Sequence, residues 1–402
     1  MRVLFISDVY FPRVNGVSTS IRTFRQDLAR RGVETVLIAP EYEGQPQPAE
    51  PGLIRVSAGR VPQDPEDRRL RWRALGRALE ALQPMDFDLV HIQTPFVAHY
   101  AGTRFARRWR IPCIETYHTF FEEYVHHYVP ALPRIAGRAL ARAVTRSQCR
   151  GVRALIAPSE PLRQSLLEYG VSTPVHVVPT GLPADRFTAG DGHRFREHAG
   201  LPADRPLVTY IGRVAHEKNI EFLVRMFLQV RAAVPRAMLV IAGEGPAREP
   251  LRRLVSGLGL ASDVHFAGYL DRDTMLLDCY AAAAVFVFAS RTETQGLVLL
   301  EAMAQGAPIV STAELGTRSI LVPGCGALVV EESAGPFAAA VVRVLTEPDL
   351  ASALSQQGRP YARAWSSAAM AGRLAEVYHA LRAGPTGFAV GEPRPMSGAS
   401  RR

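Results

Sequence analysis

The chain has 402 residues, 47 of them basic and 38 acidic, for a formal net charge of +9. Its 47% apolar and 21% charged content is that of a globular enzyme and excludes disordered and fibrous classes. The length suggests two domains, at most three, of about 100–200 residues each. Every basic residue except Lys218 is arginine. The basic balance therefore reads as a coding bias rather than as the mark of a nucleic-acid binder. The lone lysine marks a position where a compact point charge serves and a planar fork does not. Residues 1–190 carry a net charge of +7 and residues 191–402 a net of +2, so most of the excess lies in the first half. The four cysteines are far apart, with no CxxC and no metal-ligand spacing. This pattern implies a reducing compartment and argues against a disulfide scaffold or zinc site. Residues 1–11 are too short and too charged for a signal peptide. The longest apolar run, residues 281–289, is about half the ~20 residues that span a bilayer. A soluble protein, or one lying on a membrane surface, is expected.

In chain order, residues 3–6 read as a buried strand. A helix over 17–31 follows, with Val17, Ile21, Phe24 and Leu28 on one face and Gly32 as its stop. Further strands are expected at 34–39, 53–56, 89–92, 113–116, 154–157 and 175–178. The alternation restarts at 207–211 and continues through 238–242, 264–266, 285–288 and 308–311. Strands separated by helix-length segments imply βαβ units and parallel sheets. The expected fold is α/β: two tandem doubly wound, Rossmann-like domains over residues 1–185 and 200–365, joined by the Gly/Pro/Asp-rich segment 179–206. A helix over 366–383 is expected to pack back towards the first domain, and the Gly/Pro/Ser/Arg-rich tail 384–402 to be disordered. Ligands of such sheets bind at the carboxyl ends of the strands, so the cleft between the domains is the expected site.

Three segments at those ends carry chemistry. In the first, residues 11–18, Gly16 precedes a helix whose N-terminal amides can approach a phosphate; an ordinary strand-to-helix turn would read the same way. The second, residues 212–219, holds Arg213 and Lys218 before another helix, a fork and a point charge that suit a diphosphate. In the third, residues 292–303, Glu293 lies in a loop, Gly296 and Leu297 open a helix, and Glu301 lies two turns on. A carboxylate in such a loop accepts hydrogen bonds from sugar hydroxyls. Gly243-Glu244-Gly245 lacks the third glycine of a dinucleotide fingerprint, and no Walker motif occurs, which disfavours NAD enzymes and P-loop NTPases.

The two glutamates of residues 292–303, eight positions apart with Gly296-Leu297-Val298 between them, resemble those of the retaining glycosyltransferases of the GT-B fold, family 4. Gly16, His118 in Thr116-Tyr117-His118-Thr119, Gly212-Arg213 with Lys218, Gly243-Glu244-Gly245, residues 264–268 and Glu293 with Glu301 follow in that family's order over about residues 1–380. One departure is Ala284, where the family usually carries an aspartate. The resemblance implies catalytic roles for His118, Glu293, Arg213 and Lys218. It implies donor binding by Gly16, Arg213, Lys218, Gly243, Phe266, Glu293, Gly296, Leu297, Val298 and Glu301. Arg213 and Lys218 would take the place of a metal on the leaving diphosphate. No metal and no cofactor beyond a nucleotide-sugar co-substrate is expected.

The aromatic and His-rich segment 115–128 resembles the acceptor region of diacylglycerol glucosyltransferases. Tyr117, Glu122, Tyr124 and His126 are the acceptor-binding candidates it implies. Arg134, Arg138, Arg142 and Arg146 follow at every fourth residue and drift only ~40° per step around a helix. They form a basic ridge that could face an anionic membrane, or a solvated face in an arginine-biased chain. A second basic patch, Arg68, Arg69, Arg71, Arg73 and Arg77, surrounds Trp72. The expected protein is thus cytoplasmic, either free or docked on the inner face of the cell membrane, with no nucleic-acid partner. It would move a hexose from a nucleotide sugar, UDP-glucose in this subgroup, to a lipid acceptor such as diacylglycerol. The alternatives are a GDP-mannose-dependent mannosyltransferase acting on a phosphoinositide or soluble acceptor, and a non-catalytic binder of nucleotide sugar or lipid.

Overall fold

A computed structural model describes residues 1–44, 49–61, 64–118 and 134–382, without the side chains of residues 64–67, 134–136 and 138. The acceptor candidates Glu122, Tyr124 and His126 and the tail 384–402 lie outside the described residues, as do the side chains of Arg134 and Arg138.

The first half begins with β1 (Arg2–Ile6), β2 (Glu34–Pro40) and β3 (Leu53–Val56). An antiparallel hairpin of β4 (Ala58–Val61) and β5 (Asp64–Leu70) follows, then β6 (Leu89–Ile92), β7 (Cys113–Thr116), β8 (Ala154–Ala157) and β9 (Val175–Val177). Seven of these form one sheet in the order β3-β2-β1-β6-β7-β8-β9, parallel throughout. Its strands are apolar on both faces: Leu4, Ile6 and Ile38 join one core cluster, while Val3, Phe5 and Leu37 join the other. Burial on both sides is what a parallel sheet covered by crossover helices requires. The hairpin was not legible, because its second strand is a charged run with a proline and no alternation.

The second half repeats the plan with β10 (Leu207–Ile211), β11 (Met238–Ala242), β12 (Val264–Gly268), β13 (Val285–Phe288), β14 (Ile309–Ser311) and β15 (Ala327–Val329), in the order β12-β11-β10-β13-β14-β15. In each sheet the strand order reverses beside the first strand, leaving a crevice at the carboxyl ends of β1 with β6 and of β10 with β13. These are the GT-B architecture's two Rossmann-like halves.

Most of segment 179–206 is not a free linker. A 3-10 turn (Ala184–Phe187) and a helix (Gly192–Ala199) lie in it, and buried Phe195 joins the second half's core. Arg194 pairs with buried Asp278 at 2.5 Å. The chain passes from the first half to the second at Thr180–Leu182 and returns at Trp365–Ser367. The two crossings lie side by side: the Leu182 amide donates to the Trp365 carbonyl at 2.7 Å, and Ser367 donates back to Leu182 at 2.9 Å. The last described helix, Ser367–Arg382, then lies on the first half, where Met370, Leu374 and Tyr378 complete a core cluster with Phe5, Ile21 and Leu28. Buried His91 ties it in, with Nδ1 2.6 Å from the Tyr378 hydroxyl and Nε2 2.7 Å from that of Thr116. Among the described residues no helix is long and apolar enough to cross a membrane.

Candidate active site

A cavity of 1070 Å³ lies between the halves, lined by the loops at the carboxyl ends of β1, β6, β10, β11 and β13. Of the sequence candidates it brings together Gly16, His118, Arg213, Lys218, Gly243, Glu293, Gly296, Leu297, Val298 and Glu301.

On the second half's wall, β13 runs into the loop that carries Glu293 and Gly296. Gly296, at φ 93°, caps the helix Leu297–Gln305 in the left-handed region that glycine adopts without steric cost. No side chain caps that N-terminus and no acidic residue lies in its first turn, so its amides and dipole stay open to an oxygen-bearing ligand. Glu293 meets Lys218 at 2.6 Å, both side chains 19% exposed. Lys218 sits there because a 3-10 turn (His216–Lys218) follows the loop after β10. Arg213, on that loop, has Glu217 3.7 Å away. Gly243 is held to glycine by contact: a Cβ there would come within 1.9 Å of the Gly212 carbonyl oxygen. The Gly-x-Gly turn thus packs the β11 loop directly on the β10 loop.

Glu301 is buried rather than on the surface. Its carboxylate accepts from Arg272 Nη2 at 2.7 Å and from the Tyr280 hydroxyl at 3.0 Å. The Glu301 charge holds the Arg272 guanidinium above its ordinary range. Gln295 braces the loop across the cleft: its carbonyl accepts from the Thr180 amide at 2.8 Å and its amide donates to the Thr180 carbonyl at 2.7 Å. Ser159 adds a bond to the Thr294 carbonyl at 2.7 Å.

The first half's wall differs. Gly16 opens the helix Gly16–Arg30, which is capped by Asn15. A Cβ on Gly16 would touch no protein atom, so the open space beside it belongs to the cavity. His118 is half-buried, and its lost hydration pushes the imidazole down to about 4 and keeps it neutral near pH 7. Its Nε2 lies 3.3 Å from Gln93 Oε1. Asp8, two residues past β1, also lines the cavity and is buried.

Two candidates are not at the cavity. Phe266 is half-buried on β12 with the Arg252 guanidinium 5.3 Å from its ring centroid, and Tyr269, three residues on, lines the cavity instead. Tyr117 is buried with its hydroxyl 3.1 Å from that of Thr145. Arg142 and Arg146 are exposed on the helix Arg134–Cys149; the Arg142 guanidinium lies 5.0 Å from the Tyr169 ring centroid, and the Arg146 stem lies beside Gly170. Sequence reading missed Arg272, Tyr280, Gln295 and Asp8. Arg272 is one arginine among many, and the others touch the site only through the folded topology. Among the described residues no cluster of three or more potential metal ligands occurs.

Residues 14–186 match the family model "Glycosyltransferase Family 4" and residues 192–361 match "Glycosyl transferases group 1". The alpha-monoglucosyldiacylglycerol synthase of Streptococcus pneumoniae is 31% identical over 320 residues, 77% of this chain and 71% of that protein. The chain belongs to the family 4 glycosyltransferases. A second relative of this glycosyltransferase is the GDP-mannose-dependent alpha-mannosyltransferase of Mycobacterium tuberculosis, 30% identical over 80% of this chain and 82% of that protein. Among solved structures, sucrose-phosphate synthase of Thermosynechococcus elongatus superimposes with a TM-score of 0.77 at 25% identity, covering 95% of this chain and 99% of that one. The glycosyltransferase thus has the expected GT-B fold and transferase class.

Proposed function

We propose that this glycosyltransferase moves glucose from UDP-glucose to a lipid alcohol such as diacylglycerol, with retention at the anomeric carbon and without a metal. The observation that carries the reading is the second half's wall: Lys218 and Arg213 beside an uncapped helix N-terminus, with Glu293 2.6 Å from Lys218. Breaking the bond from the sugar to a diphosphate puts negative charge on the departing oxygen. Fixed cations and backbone amides aimed there lower the barrier in a site sheltered from water. The two basic side chains take that charge; Gly16 leaves room for the diphosphate at the opposite helix N-terminus. Glu293 accepts hydrogen bonds from the sugar hydroxyls, and Glu301, fixed by Arg272 and Tyr280, takes those of the ribose. His118, neutral and half-buried, lies at the sugar's reacting face. The bond from C1 to the diphosphate breaks and the bond from the acceptor oxygen to C1 forms on the same face, UDP departs carrying the acceptor hydroxyl's proton on its phosphate oxygen, and no carboxylate nucleophile is invoked.

The diacylglycerol reading is supported by the 31% identical synthase and by the likeness of residues 115–128 to that subgroup. The mannosyltransferase relative favours the second reading, GDP-mannose with a phosphoinositide or soluble acceptor. We place the enzyme in the cytoplasm, with exposed Leu140, Val144, Arg142 and Arg146 turned to the inner face of the cell membrane. Transfer from UDP-glucose and GDP-mannose to diacylglycerol, with and without EDTA, is the test. Expected is glucosylation from UDP-glucose, unchanged by EDTA, with an α-linked product. Turnover with GDP-mannose alone selects the second reading; donor binding without transfer to any acceptor selects a non-catalytic binder.

A further inference from the structure

The helix Arg134–Cys149 buries Ala141, Thr145, Gln148 and Cys149 on one arc. At ~100° per residue its exposed arc runs from Arg142 and Arg146 at one edge, through Ala139, Ala143 and Ser147, to Leu140 and Val144 at the other. Leu140 is 52% exposed and Val144 36%. Their edge is the one beside Gln148, whose side-chain amide donates to the Pro95 carbonyl at 2.8 Å and to the Tyr100 hydroxyl at 3.3 Å. That contact sets the apolar edge beside the start of a second helix, Val97–Trp109, where Phe96 and Tyr100 stand one turn apart, 47% and 53% exposed. Phe96 and Leu140 both line the cavity. The four side chains thus form an apolar strip that starts at the cavity and leads to the Gln148 contact, about 12 Å along the helix from Leu140. Four of the nine large apolar side chains exposed among the described residues stand in it, so it is a patch and not the scatter normal on a surface. The strip's one side-chain hydroxyl, that of Tyr100, is engaged by Gln148. What it offers a ligand is removal of hydrocarbon from water. A nucleotide sugar has no part that fits such a surface. A lipid acceptor does, and it alone must have one end at the reaction centre and an apolar tail leaving it.

From this we infer that Phe96, Tyr100, Leu140 and Val144 seat an acyl chain of the acceptor, holding the tail on the protein surface while the hydroxyl end is in the cavity. The inference deepens the proposed function and rests on its reading of the acceptor as a lipid alcohol. It gives the two edges of the exposed arc separate tasks: the arginine edge meets anionic headgroups, and the Leu140 edge takes the chain.

The test uses the full chain, UDP-glucose as donor, and two acceptor probes, dibutyrylglycerol and dihexanoylglycerol, each below the concentration at which it aggregates. No membrane is present, so docking on a bilayer contributes nothing. The wild type should show a kcat/KM about fourfold higher for the hexanoyl ester, about twofold for each extra methylene of one seated chain, less than full burial gives because the strip covers one side. Leu140→Ser combined with Val144→Ser changes exposed positions, where substitution alters stability little. It should bring the two esters to within about twofold of each other and leave the affinity for UDP within about twofold of wild type. Leu140→Phe, which keeps the apolar surface, should keep the preference. Equal kcat/KM for the two esters in the wild type overturns the seat and leaves the lipid reading standing. A preference that survives the double substitution, or that falls only in step with UDP affinity, also overturns the seat. So does a dimer, seen by analytical ultracentrifugation, that the double substitution dissociates while the preference persists; the strip then belongs to a second copy of the chain. Transfer to neither ester by the wild type overturns the lipid reading and the seat with it.

Discussion

The two walls of the cavity are built on the same plan, strand ends facing a cleft, but they are finished in opposite ways. The second half presents charges that are already paired, Lys218 with Glu293 and Arg272 with Glu301. The first half presents a neutral imidazole and a carboxylate, Asp8, held out of water. Pre-paired charges cost little reorganisation when a charged ligand arrives, whereas an ionisable group held out of water carries a standing desolvation cost. The contrast teaches that the second half's wall is organised electrostatically and the first half's by desolvation.

The largest effect that could break this contrast is at Lys218. Lys218→Ala should lower turnover by about 10²-fold or more, the loss typical of one fixed donor at a developing charge, and near-normal steady-state turnover would end that role. Glu293→Gln should cripple transfer while UDP affinity, read by calorimetry, stays close to wild type; a drop in nucleotide affinity would move Glu293 off the sugar. Because the two side chains meet, the double variant should lose less than the product of the single losses.

Next comes the energetic cost of the first half's wall. Burial pushes the Asp8 carboxyl up from 3.8 to about 6, against opposing hydrogen bonds from Ala98, Thr94, Leu70 and Val97. The folded state therefore holds the proton more tightly than the unfolded state, and the penalty grows as pH rises from about 4 to 6 and stays above that. Asp8→Asn removes the penalty, so the variant should be more stable than wild type at pH 8 by on the order of 2–3 kcal/mol. The gain should vanish towards pH 4. Denaturant melts at the two pH values check it, and a variant no more stable at pH 8 would show that the charge is well solvated.

Tyr280→Phe, which removes one of the two partners of Glu301, should cost about 1–2 kcal/mol of stability and raise the KM for the nucleotide sugar more than it lowers kcat. Equal effects on both constants would detach Glu301 from ground-state donor binding. Last comes the basic face of the helix Arg134–Cys149. Changing Arg142 and Arg146 to Ser should weaken sedimentation with anionic liposomes by about 1 kcal/mol per charge at low salt. Sedimentation unaffected by salt or by the substitutions would remove the ridge from membrane binding.

The sheets and the residues that line the second half's wall were legible because each rests on local pattern. Apolar runs ending in glycine-bearing loops gave the strand order of chemistry, and a single lysine among arginines pointed to residue 218. Partners that depend on the packing of distant elements were not legible. Arg272 lies 29 residues before Glu301, Gln295 clasps a loop 115 residues away, and Thr94 holds an aspartate 86 residues upstream. Phe266 and Tyr117 show the converse, aromatic residues inside motifs that pack elsewhere than at the cavity: Phe266 lies within β12 against Arg252, and Tyr117, just past β7, reaches Thr145. The hairpin of β4 and β5 carries no alternation to read.

The paired crossings at Leu182 and Ser366 make the second half, in topological terms, an insertion into the first. A chain cut after residue 185 lacks the helix that covers Phe5, Ile21 and Leu28, so it would expose an apolar face rather than yield an autonomous module. Transplanting a foreign donor half accordingly requires two joints, one at each crossing, with the final helix retained from the host. The two segments lie against each other, hydrogen-bonded in a ribbon, so both joints fall at one place on the molecule. A chimera that keeps both joints inherits the host's own seam along with the fold.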